Sequence, residues 1–212
     1  MFKENYLSKE NREDYLKSVQ NILFKKEINE DDFLNSALIV LDMQEYFLNP
    51  DSHAFIPASI EIINNINELI KYFIKNGKSV FVASHIDEKR KDNLMIKWWG
   101  DSIKENNSYS EISNLLNTDK CEVFRKTQYD AFHKSNLEEK LKNNGIKNLF
   151  ICGVQAHICC DATARSSFVK SFQPFIIYDA CASYNSDLHL SSLKCLSHAF
   201  AKLVKTDELI NH

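Results

Sequence analysis

The sequence predicts an α/β fold: a three-layer α/β/α, doubly wound sheet of about six parallel strands. Two observations carry that expectation. Short, unbroken apolar runs recur at residues 37–42 (ALIVLD), 79–84 (SVFVAS), 121–126 (CEVFRK), 148–153 (NLFICG), 174–180 (PFIIYDA) and 201–205 (AKLVK). Between them lie segments of helical periodicity. Strands buried on both faces read as continuous apolar runs, and their alternation with helices argues a parallel sheet covered on both sides.

Residues 1–35 are polar and charged, and NREDYLKSVQNILF within them reads as an amphipathic helix with Tyr15, Val19 and Leu23 on one face. This predicts an N-terminal helical arm, either packed on the domain or serving as a partner-binding element. Residues 36–212 make up the α/β domain. After the first strand, IEIINNINELIKYFIKNG carries apolar side chains at spacings of three and four, with Gly77 where a helix C-cap belongs. Residues 85–120, between the second and third strands, read as an insertion that would carry specificity. No repeat, low-complexity tract or Pro/Gly/Ser linker divides the 212 residues, a length that suits one core.

Composition narrows the function. A net charge of −3, with lysines and acids interspersed, gives no electrostatic case for nucleic acid or an anionic membrane. The start has no signal-peptide pattern, and no run approaches the roughly 18 apolar residues of a membrane span. The expectation is a cytoplasmic protein acting on a small molecule. Six cysteines without a CxxC pair read as thiols, not as a disulfide framework. The adjacent Cys159 and Cys160 are poorly placed to chelate one ion, so no metal or cofactor is expected.

Ligands of open parallel sheets bind outside the carboxyl ends of the strands, near a topological switch point. That rule selects Asp42 after ALIVL, Lys126 at the end of CEVFRK, and Cys159 shortly after NLFICG. Each has an ordinary structural reading. A carboxylate at a strand end caps the next turn, a lysine there faces solvent, and a cysteine is a small hydrophobe, as Cys152 and Cys181 look to be. Taken together they make coherent thiol chemistry. A helix terminus and Lys126 would lower the thiol pKa, Asp42 would accept and return its proton, and backbone N–H groups of Gln155 and Cys159 would hold an oxyanion.

Four motifs in order, ALIVLDMQEYF, VFRKTQYDAF, ICGVQAHICCDATARSSF and FIIYDACASYN, resemble the isochorismatase-like cysteine hydrolases over about residues 37–209. The resemblance implies a parallel sheet of about six strands, a triad of Asp42, Lys126 and Cys159, and a non-proline cis peptide joining Val154 and Gln155. It also implies a homo-oligomer, a dimer or tetramer.

Within that superfamily, DMQEYF and GVQAHI look like the isochorismatases, which cleave a vinyl ether using the aspartate as acid. Those enzymes usually have glycine where this chain has Cys159, and an arginine before the WG motif, where only Arg90 and Lys97 lie nearby here. The departure favours cleavage of an amide or carbamoyl C–N bond through a Cys159 acyl-enzyme; vinyl-ether hydrolysis and a catalytically silent binding protein are the alternatives. The nicotinamidases add a metal site, for which Asp51 and His53 are the matching residues, with no further histidine at short spacing. Gln44, Phe47, Trp98, Tyr129, Phe132 and His157 are the expected substrate-binding side chains, with Trp99, Tyr184 and Asn185 as further candidates. For the aromatics, core packing is the competing reading, and for His157 a hydrogen bond within its loop.

Overall fold

The computed structural model of the protein describes residues 1–22, 29–88 and 92–211; Leu23 and Arg90 fall outside them. Six strands form one sheet: β1 (Ser36–Leu41), β2 (Ser79–His85), β3 (Glu122–Lys126), β4 (Asn148–Val154), β5 (Gln173–Ala182) and β6 (Lys202–Val204). All neighbours pair in parallel, in the order β3-β2-β1-β4-β5-β6. Every apolar run read as a strand is one, with ends shifted by at most two residues.

Helices flank the sheet: α1 (Arg12–Ile22), α2 (Glu30–Leu34), α3 (Glu45–Leu48), α4 (Ile63–Lys75), α5 (Leu94–Trp99), α6 (Leu137–Asn143), α7 (Asp161–Val169), α8 (Ser186–Ala199) and α9 (Thr206–Ile210). The chain adds β2 and β3 outward on one side of β1, then β4, β5 and β6 on the other. Right-handed crossovers running in opposite directions put their helices on opposite faces of the sheet. α4 buries Ile63, Ile66, Leu69, Ile70 and Phe73, the stripe its periodicity announced, and ends at Asn76 with Gly77 in the left-handed region at φ +67°. Phe33 and Phe73 meet edge-on, and Phe73 meets Phe150 of β4, which stacks on Phe175 of β5.

The switch point lies between β1 and β4, and the two strands touch there. Gly153 has φ +109°, and a Cβ on it would stand 2.2 Å from the Leu41 carbonyl oxygen. Just beyond that contact Asp42 leaves the sheet with φ +55°. The Val154–Gln155 peptide is cis.

The N-terminal arm packs against the carboxyl end of β5 and against α8. Tyr15 and Val19 of α1 are buried, as are Tyr6 and Leu7 ahead of it. The Tyr6 hydroxyl accepts the Ser183 N–H at 2.8 Å and lies 3.1 Å from His189 Nδ1. The Glu4 N–H bonds the Tyr184 carbonyl, and the Glu4 carboxylate accepts the Ser186 N–H at 2.6 Å.

His189 is fully enclosed by this packing, and burial, reinforced by His157, lowers its pKa to about 3. In the unfolded chain the same imidazole takes a proton near pH 6.5. Between those values protons bind the unfolded state preferentially, so the contribution of His189 is complete above about pH 6.5 and is lost as pH falls. His189 should contribute about 1.4 kcal/mol per pH unit to the fall in stability seen by urea unfolding between pH 6 and 5, beside a fall of the same sign from His157, whose pKa burial lowers to about 4. His189→Gln should reduce the slope by about that amount; an unchanged slope would remove His189 as a source.

Candidate active site

Strand order brings three ends into one place. Asp42 follows β1, Lys126 closes β3, and Cys159 sits in a wide helical turn, Ala156–Cys160, that links β4 to α7. Lys126 is separated from β1 by β2, so its side chain crosses the end of β2 to reach its partners. Its Nζ lies 2.9 Å from Asp42 Oδ2 and 3.5 Å from Cys159 Sγ, and it donates to the Gln128 carbonyl at 2.9 Å. The Asp42 and Lys126 side chains are both wholly inaccessible to solvent. Apart from the lysine and the thiol, neither Asp42 oxygen meets a hydrogen-bond donor among the described residues.

Burial opposes the charge on Lys126, but Asp42 and Cys159 outweigh it and raise the lysine pKa to about 12. The lysine is therefore a fixed cation at physiological pH. The thiol behaves differently from the sequence expectation. Burial is the largest influence on Cys159, the Asp42 charge is the next, and the opposing effect of Lys126 does not cancel them, so the pKa is raised. The resting side chain is a protonated thiol whose proton faces the Asp42 carboxylate.

Next to the lysine is a histidine that the strand-end rule would have found, because SVFVAS runs directly into it. His85 Nδ1 lies 3.5 Å from Lys126 Nζ, and its Nε2 lies 3.2 Å from Asp87 Oδ1. A charged lysine can only donate, so Nδ1 is the acceptor and Nε2–H points to Asp87. Burial disfavours the ionised Asp87, yet His85 and the Ile103 N–H outweigh it and hold this carboxyl below its ordinary pKa.

These groups open onto a cavity of about 130 Å³. Asp42, Cys159, Gln155 and Ile158 form one side, and His85, Asp87, Ile103 and Met95 another. Aromatic walls come from Tyr46, Phe47, Trp99, Tyr129 and Tyr184, with His53, Ala54 and Asp101 at the rim. Phe47, Tyr129 and Tyr184 were legible as candidates. Tyr46, Met95, Asp101 and Ile103 were not, because three of them lie in the insertion, where no periodicity marks the inward side chains.

Four expected binding side chains lie elsewhere. Gln44 is a buried clamp: its amide donates to the carbonyls of His85 and Ser110, at 3.0 and 2.8 Å, and accepts the His85 N–H at 2.7 Å. Trp98 points outward, 80% exposed, while its neighbour Trp99 lines the cavity and donates to the Tyr129 hydroxyl at 2.8 Å. On a helix adjacent residues are about 100° apart, so only one of the pair can face in. Phe132 stacks on Phe172 with centroids 5.9 Å apart, in the core. His157 bonds Ser183 Oγ, just beyond β5, at 2.9 Å, a contact between two segments and not within its own loop. Asn185 caps α8 by accepting the Leu188 N–H, and Lys97 is exposed on α5.

His53 Nε2 lies 3.2 Å from the Tyr46 hydroxyl and 3.4 Å from Asp101, while Asp51 is exposed and does not line the cavity. Among the described residues no group of three or more His, Cys, Asp or Glu side chains is arranged to hold a metal. No described helix is long and apolar enough to cross a membrane.

A buried aspartate, lysine and cysteine at the switch point of a parallel sheet define an α/β protein with a cysteine-centred site. The chain belongs to the isochorismatase family, a family of hydrolases: the family model described as Isochorismatase domain matches residues 36–208. It is 34% identical over 179 residues to Nicotinamidase 3 of Arabidopsis thaliana, covering 82% of this chain and 86% of that protein. It is 33% identical over 178 residues to enterobactin synthase component B of Escherichia coli, covering 82% of this chain but only 62% of that longer protein. Among solved structures, a cysteine hydrolase from Pseudomonas syringae pv. phaseolicola superposes with a TM-score of 0.82 at 21% identity, covering 89% of this chain and 95% of that one. A nicotinamidase/pyrazinamidase from Bacillus subtilis gives 0.73 at 25% identity, covering 81% and 100%.

The Asp42 charge that raises the thiol pKa gives a test with an unusual sign. Asp42→Asn removes that charge and keeps Lys126, so Cys159 should ionise more readily. Iodoacetamide at pH 7.5 should alkylate Cys159 several-fold faster in this variant than in the wild type, read by peptide mass. Slower alkylation would mean that Asp42 does not set the thiol pKa.

Proposed function

We propose that the protein hydrolyses a small-molecule amide or carbamoyl C–N bond through a Cys159 acyl-enzyme. The observation that carries this reading is the buried cation of Lys126, 2.9 Å from Asp42 and 3.5 Å from the Cys159 sulfur. Because the resting thiol is protonated, attack needs a base, and Asp42 is the carboxylate facing it.

In this mechanism Asp42 takes the thiol proton as Sγ bonds to the substrate carbonyl carbon. The negative charge passes to the carbonyl oxygen, held by backbone N–H groups of Gln155 and Cys159. Asp42 then protonates the departing nitrogen, the C–N bond breaks, and a thioester remains. Water attacks the thioester, Asp42 accepts its proton, and the thiol is restored as the acid leaves. Lys126 stays charged throughout, balancing whichever of Asp42 and Cys159 is anionic. His85 and Asp87 hold the lysine from its far side.

A second reading has specific support, since enterobactin synthase component B matches nearly as closely as the nicotinamidase. There Asp42 protonates a vinyl ether, water completes the hydrolysis, and Cys159 is a bystander. A cytoplasmic homo-dimer or tetramer belongs to the leading reading: all six cysteines are free thiols, and Leu94 and Trp98 stand exposed on α5.

Cys159→Ala should lower amide turnover by about 10³-fold or more, and a slow amide substrate should leave an acyl mass adduct on Cys159 alone. Asp42→Asn should cost about 10²–10⁴-fold. Pyruvate release from isochorismate that survives Cys159→Ala but not Asp42→Asn would select the second reading.

A further inference from the structure

One polar atom in the cavity has no use in the mechanism above. Gln155 is 5% exposed, and its Oε1 has no hydrogen-bond donor among the described residues. Burial raises the Tyr184 pKa and the neighbouring Gln155 amide works against that rise, so the two side chains lie side by side. The carbonyl oxygen is the end of the amide left without a partner.

Two other donors on the cavity wall are already committed. Trp99 Nε1 is spent on the Tyr129 hydroxyl, and the Tyr46 hydroxyl on Asp101. Tyr184 is held in turn by the N-terminal arm: its carbonyl accepts the Glu4 N–H, and the Lys3 ammonium sits 4.7 Å above its ring. Lys3 also donates to the His53 carbonyl at 2.6 Å, across the rim. The Gln155–Tyr184 pair is thus fixed from behind.

A buried acceptor with no partner is disfavoured until a donor arrives, and this one lines the cavity shared with Cys159 and Asp42. We propose that Gln155 Oε1 is a specificity determinant that accepts a hydrogen bond from an N–H of the substrate, selecting primary amides or carbamoyl groups over esters and N,N-dialkyl amides. Sites built to pair a donor reject analogues lacking it far more strongly than they reject a changed methylene count. This rests on the amide reading for its kinetic form, while its binding form does not.

The test uses nicotinamide, benzamide and N-carbamoylglycine as probes, with the N,N-dimethyl amides and methyl esters of the first two. In Gln155→Met, which keeps the length but has no acceptor, the ratio of amide to ester kcat/KM should fall about 10–100-fold. Tyr184→Phe removes the hydroxyl of the side chain beside the amide and should cause a smaller loss of the same selectivity. Calorimetry on Cys159→Ala, with and without Gln155→Met, should show a preference for primary over dimethyl amide that disappears with the acceptor. Equal losses for amide and ester, or an unaltered binding preference, overturn the proposal. If the wild type turns over no amide, the acyl-enzyme reading has failed, and the binding ratio alone decides the role of Gln155; no amide binding anywhere in the panel also overturns it.

Discussion

The pair of Asp42 and Lys126 is the constraint around which the rest of the molecule is arranged. Two charges with no solvent access cost several kcal/mol each in lost hydration, and their attraction offsets this only in good geometry with further hydrogen bonds. The surroundings supply those bonds. Gln128 and His85 take the remaining lysine contacts, Asp87 orients His85, and Gln44 pins the end of β2 where His85 leaves it. Gly153 permits β4 to lie against Leu41 so closely that the cysteine turn arrives beside the pair. Removing either charge would strand the other, which makes the site and the sheet ends one cooperative unit.

That arrangement also explains why the thiol pKa rises. A site built only to make thiolate would put the cation nearer than the anion and admit water. Here the carboxylate prevails over the lysine and burial prevails over both. In the proposed mechanism the thiol proton passes to Asp42, so that nucleophile and base share one proton. A buried thiol that keeps its proton is also a poor target for adventitious oxidants, which attack thiolates.

Much of this was legible in the chain. The six strands announced themselves because a two-sided sheet needs unbroken apolar runs, and the helix over 63–75 because its stripe repeats. Asp42, Lys126 and Cys159 followed from the rule that strand ends face the ligand. The same rule extends to His85, which closes the second strand. What stayed hidden has physical causes. Trp98 and Trp99 cannot be told apart without the phase of a one-turn helix. Gln44 looks like a ligand side chain until its three backbone partners are seen. The direction of the thiol shift depends on how three opposing effects balance, and spacing carries no information on that balance.

The arm that grips Tyr184 and the His53 loop lies outside residues 36–208, the stretch matched by the family model. Every residue that lines the cavity lies between 42 and 184, so the arm bears on the cavity wall from behind, through Lys3 and Glu4, without entering it. A substitution among those first residues would therefore act on the wall at Tyr184 and His53 and leave the buried ion pair its contacts.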